Sequence, residues 1–144
     1  MNNTSTRAAG VFFTRALLGI IFGMQGFGKV FKYTVPKIYD MFFKDFETTF
    51  LPKWLIGFTV YYTSYIEFIC GFLLIAGLFR KITLYLLGID LLMVSFGHGL
   101  LEPVWDLSHV APRAILLIAL LLLPQEWDKW ALDNMLKRKI EYLP

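Results

Sequence analysis

Residues 15–29, RALLGIIFGMQGFGK, are apolar enough to lie in a bilayer yet carry a guanidinium near one end and an ammonium at the other. At helical spacings of three and four, Arg15, Gly19, Phe22, Gly26 and Lys29 share one stripe, with Leu17, Ile20, Ile21, Met24 and Phe27 on the opposite side. Charge on that stripe cannot face lipid, so this helix requires partner helices, and the remaining sequence must provide them.

Composition supplies the setting. The chain is 57% hydrophobic with a mean hydropathy of +0.58, above the roughly 45–50% apolar content of soluble domains. The excess is gathered into runs at about 8–31, 54–79, 82–101 and 108–123, close to the ~20 residues that a helix needs to cross hydrocarbon. The expected fold is all-α, a polytopic membrane four-helix antiparallel bundle forming a single domain over residues 1–144. The net charge of +3 is dispersed over short loops and the tail, which argues against nucleic acid as a partner. Cys70 is the single cysteine, so neither an internal disulfide nor a Cys-x-x-Cys pair exists, and a membrane dithiol oxidase is excluded. The first apolar run outlasts a signal-peptide core and no small-x-small site follows it, so it reads as a retained span.

Between the first two runs, residues 32–53 are too charged to span. Ile38, Met41, Phe42, Phe46, Thr49 and Phe50 fall largely on one side, and Asp40, Lys44, Asp45 and Glu47 on the other. The expectation is an interfacial amphipathic helix, serving as a surface anchor or as a lid over a lipid-soluble substrate. Arg80 and Lys81 end the second run and the third follows at once, which makes those two helices antiparallel neighbours. Ser108 is a fair N-cap for the fourth span, with Pro112 in its first turn. An amphipathic C-terminal helix follows Pro124. Lysine and arginine are biased toward one side, with Arg7, Arg80, Lys81, Lys129, Lys137, Arg138 and Lys139 against Lys29, Lys32, Lys37, Lys44 and Lys53. That bias puts both termini on the cytoplasmic face of the cell (inner) membrane.

Polar groups at bilayer depth are the candidates for function. Arg15, Asp90 and Glu67 lie roughly 10, 12 and 18 Å from the cytoplasmic ends of their spans, close enough to expect an Arg15–Glu67–Asp90 cluster. One guanidinium against two carboxylates leaves a net negative charge, and the cheaper state has one carboxyl protonated. Such a cluster could be a structural lock or could handle protons for a quinone. Toward the outer face lie Gln25, Lys29, His98, Glu102, Asp106, His109 and Arg113. These could form a salt-bridged loop lock or a polar headgroup pocket. Two histidines and two carboxylates could in principle hold zinc or iron, but Lys29 and Arg113 nearby oppose a cation, so no metal is assigned.

Three stretches carry a resemblance to a known family. They are RALLGIIFGMQGFGK in the first span, EFICGFLLIAGLFRK in the second, and PQEWDKWALD with Trp130 and Asp133 after the fourth. In that order they resemble the DoxX family of small four-helix membrane proteins, although Gln25 stands where many relatives have His. Some members resemble the quinone-reducing membrane subunit of thiosulfate oxidation, and others accompany thiol-stress and superoxide-defence enzymes. The resemblance implies a quinone-interacting or membrane-anchor subunit of an oxidoreductase assembly, with other membrane proteins or further copies of itself as partners. Quinone is then the expected cofactor, with none held covalently. The sequence carries no cysteine pair, dinucleotide-binding glycine pattern or c-type haem motif, so the electrons must come from elsewhere. A non-enzymatic scaffold is the competing expectation, and a proton or solute conduit a third.

Overall fold

The computed structural model of the chain describes residues 3–102 and 107–141, and all the regular structure among these is helical, with no strand. Helix α1 (Asn3–Phe27) passes into a π-helical stretch, Gly28–Lys32, closed by donation from the Tyr33 N–H to the Gly28 carbonyl at 2.9 Å. A short α2 (Val35–Ile38) follows, then α3 (Lys53–Ala76), α4 (Arg80–Leu101), α5 (Ala111–Leu122) and α6 (Leu132–Glu141).

Three helices, Thr4–Lys32, Lys53–Ala76 and Arg80–Leu101, are long and apolar enough to cross a membrane. The protein is therefore a multi-pass membrane protein seated in a lipid bilayer. The expected fourth span is shorter than predicted. Helix α5 has 12 residues, roughly 18 Å of rise against about 30 Å of hydrocarbon. Residues Leu107–His109 form a tight 3₁₀ turn, so α5 starts at Ala111 with Val110, not Ser108, at its N-cap, and Pro112 sits in the first turn as expected.

The four long elements form a ring, α1 against α3, α3 against α4, α4 against α5, and α5 back against α1. The closest pair is α1 and α3. A Cβ on Gly19 would lie 2.8 Å from the Gly71 carbonyl oxygen, and a Cβ on Gly71 or Gly26 would run into the backbone of the opposite helix at Gly23 or Phe68. With no hydrophobic drive between helices in lipid, small residues that let backbones meet are what bind such a pair. The stripe read from the sequence is the buried one: Arg15, Gly19, Phe22 and Gly26 are buried, and Leu17, Ile20, Met24 and Phe27 are exposed to lipid. The interior is apolar, built around Leu18, Phe22, Leu74, Leu84, Leu87 and Leu120.

The α3–α4 connection differs from the sequence expectation. Arg80 and Lys81 open α4 rather than close α3. Helix α3 stops at Gly77, whose φ of 73° is the left-handed conformation glycine adopts at least cost. The Gly77 N–H donates to the Leu74 carbonyl at 3.0 Å and the Leu78 N–H to that of Leu73 at 2.9 Å, a Schellman closure. The segment between α1 and α3 is helical but is not one amphipathic helix. After α2 it continues as a π turn (Tyr39–Phe43) and a 3₁₀ turn (Lys44–Thr48). Its entry, Thr34, carries a strained φ of 67°. Val35 and Ile38 pack on Val60 of α3, while Phe46 reaches Gly97 of α4, so the segment docks on the bundle end. Met41, Phe42 and Phe50 remain exposed.

Candidate functional site

Two buried polar centres occupy the bundle at different levels. The first is at the end where α1 begins. Arg15 is fully buried, and its Nε lies 3.1 Å from Asp128 Oδ2 and 3.3 Å from Oδ1. Its Nη1 donates to the carbonyls of Leu74 and, at 2.7 Å, Ile75. Arg80 Nη1 lies 3.6 Å from the same Asp128, and its Nη2 donates to the carbonyls of Leu120 and, at 2.9 Å, Leu123. These carbonyls lie at the C-terminal ends of α3 and α5, where the negative end of each helix dipole is. Each arginine thus caps one helix, and Asp128 ties the two caps together. The α3–α4 turn closes the knot: the Gly77 carbonyl accepts from the Asp133 N–H at 3.2 Å, and a Cβ on Gly77 would lie 2.7 Å from Ala131. Phe12 and Trp130 meet edge to face at 5.3 Å beside it.

The second centre lies deeper along α1. Lys29 Nζ is 2.6 Å from Glu67 Oε2, an ion pair that lies off the hydrogen-bonding direction. Asp90 is fully buried on α4, and neither of its carboxylate oxygens has a hydrogen-bond partner among the described residues; the same holds for Glu67 Oε1. The two carboxylates are within electrostatic reach of one another, and Lys29 and Arg113 are the cations that act on both. Arg113 also sits 5.8 Å above the Phe22 ring, within cation–π range. Local structure sets this geometry. The π-helical stretch adds a residue to the turn that carries Lys29, and π turns often occur where a side chain must be re-aimed. Gly26, one turn earlier, lets α1 approach the backbone of α3 at Glu67 and Phe68.

The expected Arg15–Glu67–Asp90 cluster is therefore divided. Glu67 and Asp90 do come together, but Arg15 belongs to the other centre, held at the closing end by Asp128 and the α3 carbonyls. Lys29 finds an acid in Glu67 of α3. His98, Glu102 and His109 are exposed, Glu102 lies beyond the end of α4 in extended backbone, and Asp106 lies outside the described residues. Gln25 is half-buried, one turn before Lys29. Among the described residues, no three His, Cys, Asp or Glu side chains are grouped as a metal site. Asp128 escaped the sequence reading, which singled out Trp130 and Asp133 nearby. A signal was present in the two arginines, Arg15 and Arg80, two cations toward one end of the bundle, one more than the acids Glu67 and Asp90 could answer once Lys29 is counted.

Over the opposite end, the docked segment is fixed by a polar clamp outside the spans. Tyr39 Oη donates to Glu47 Oε1 at 2.8 Å, and Lys53 Nζ lies 2.5 Å from Glu47 Oε2. The hydrogen bond from Lys53, then that from Tyr39, holds the Glu47 carboxyl below the usual carboxylate range. The bond to Glu47 in turn raises the Tyr39 phenol.

A family model described as DoxX matches residues 10–99, from the first turns of α1 nearly to the end of α4, so it takes in Arg15, Lys29, Glu67, Arg80 and Asp90 but not Asp128. No curated protein and no solved structure matches the chain. The matched stretch covers well over half of the sequence, and the chain belongs to the DoxX family.

Proposed function

We propose that the protein is the quinone-interacting membrane subunit of an oxidoreductase assembly, in which Asp90 and Glu67 carry protons to a quinone reduced by a partner's electrons. The observation that supports this is Asp90. It is a fully buried carboxyl with no hydrogen-bond partner among the described residues. An isolated carboxylate at such depth costs several kcal/mol, and that cost is tolerated most readily where the group has a proton to hold and release. Glu67, ion-paired to Lys29, is the adjacent acceptor, and Arg113 and Gln25 border the same region. Reduction of a quinone takes up two electrons and two protons; the chain's own residues supply the protons and the partner subunit the electrons. The cationic knot and the basic α6 favour placing both termini on the cytoplasmic face of the inner membrane, which impermeant thiol labelling of a Lys137→Cys variant checks.

Quinone titration of the purified protein tests the reading, with Asp90→Asn and Glu67→Gln alongside. Saturable binding to the native protein, with binding kept but quinol formation lost in the assembly carrying Asp90→Asn, is the expected result. Absence of saturable binding, together with stable co-purifying proteins, would leave the scaffold reading in its place.

A further inference from the structure

The seam between α4 and α5 is open. A groove of about 390 Å³ runs along it, lined by apolar residues including Gly88, Ile89, Leu92, Ala114, Leu117 and Ile118. At the end near the Asp128 knot it adjoins a second hollow of about 280 Å³, bordered by Arg80, Lys81, Gln125 and Glu126, and the two share Leu84, Tyr85 and Leu121. Apolar trough and polar mouth are thus one continuous feature. From Leu84 to Ser95 the trough extends roughly 16 Å along α4, the reach of most of an acyl chain.

The mouth carries excess positive charge. Arg80, Lys81 and Glu126 are the charged residues that border it, two cations against one carboxylate, with the Arg15–Asp128 pair buried behind them. Arg80 is 4% exposed, borders the mouth, and its Nη1 has no hydrogen-bond partner among the described residues, only the 3.6 Å ion-pair approach to Asp128. Lys81 beside it is exposed. A buried guanidinium with a free donor and a net charge left over is completed by an anion.

From this we infer that the α4–α5 seam is a binding site for an anionic phospholipid, with one acyl chain in the trough and the headgroup phosphate at Arg80 and Lys81. A neutral-headed lipid would fill the trough equally well but leave the extra positive charge unanswered. The lipid would come from the leaflet at the knot end, where α6 also presents Leu132, Met135 and Leu136 to its surroundings.

Native mass spectrometry of the detergent-purified full chain, titrated with dioleoyl phosphatidylglycerol or dioleoyl phosphatidylcholine, tests the inference. The expected result is one tightly retained phosphatidylglycerol and weaker phosphatidylcholine binding. Lys81→Gln should weaken phosphatidylglycerol roughly fivefold without changing phosphatidylcholine, from about 1 kcal/mol per surface cation. Gly88→Phe should abolish retention of both, because Gly88 lines the trough and a Cβ there meets only Leu117 Cδ2, at 3.9 Å, so the backbone accepts the substitution while the ring takes up trough space. Gly57→Phe on α3, equally unobstructed, serves as the folding control and should retain lipid. Equal binding of the two lipids, or undiminished retention in Gly88→Phe, would overturn the assignment, as would displacement of the lipid by a stoichiometric quinone.

Discussion

Asp128 is the residue on which the closing end of the bundle depends. It lies outside the long helices, is fully buried, and is the acid on which both Arg15 and Arg80 converge. Removing one partner of a buried ion pair leaves an uncompensated charge and costs about 3–5 kcal/mol. Asp128→Asn should therefore lower unfolding stability in detergent by that order, read from thermal or denaturant unfolding. Arg15→Met should cost less than the loss of Asp128, since it removes the charge along with the contact and leaves Asp128 paired to Arg80; equal stability of Asp128→Asn and native protein would contradict the knot. The burial of Arg15 was legible in the sequence because charge, glycine and aromatic positions repeated at helical spacing. Its partner was not. Depth along a span can be counted from a sequence, but which of several carboxylates a long arginine side chain meets depends on how the helices rotate and where the chain returns after α5. By the same logic Lys29, read as an outer-loop partner, reaches inward to Glu67 because a π turn redirects it, and no residue pattern announces that turn.

At the scale of elements, the α1–α3 contact is set by Gly19 and Gly23 against Gly71 and by Gly26 against the Phe68 backbone. Gly26→Leu would force side-chain atoms into the Phe68 backbone. Overpacking of this kind costs typically 1–3 kcal/mol, and because Gly26 fixes the approach of α1 at Glu67, the same variant should also part Lys29 from Glu67. A crosslink between cysteines placed at Lys29 and Glu67 should form in the otherwise native chain and fail in the Gly26→Leu background. The docked segment between α1 and α3 gives a pH prediction. The Glu47 carboxyl is held low by Lys53 and Tyr39, so its contribution is present above the ordinary glutamate range, near pH 4, and is lost as pH falls through the depressed value. The Tyr39 phenol is raised by Glu47, so its contribution is present below the ordinary tyrosine range, near pH 10, and is lost as pH rises through the raised value. Protection of the backbone amides over residues 35–48, each exchange rate divided into its intrinsic rate at the same pH, should be greatest between those limits, and Glu47→Gln should remove the acid limb. The amphipathic character of this segment was readable from residue types alone. Its division into α, π and 3₁₀ pieces was not, because Val35 and Ile38 must reach Val60 of α3 while Phe46 reaches Gly97 of α4, and one regular helix does not meet both.

Across the whole molecule, the ring of four helices separates two polar centres with opposite demands. In the knot at one end, Arg15 and Arg80 each donate to helix-end carbonyls and converge on Asp128, an arrangement suited to holding helix ends in place. The deeper centre leaves Asp90 without a hydrogen-bond partner among the described residues and Glu67 with one ion pair, an arrangement suited to moving a proton. Sequence length and hydropathy were sufficient for the membrane setting and for the three long spans. They overstated α5, because apolar content does not reveal that the chain uses Leu107–His109 for a turn before the helix begins. The central claim is that Asp90 exchanges a proton when quinone is reduced. Redox-induced infrared difference spectroscopy of the protein in its assembly, with quinone present, tests it most directly. The account predicts a carboxyl C=O difference band on quinone reduction that shifts in deuterium oxide and disappears in Asp90→Asn. A band unchanged by Asp90→Asn, or a quinone-dependent spectrum with no carboxyl signal, would contradict it.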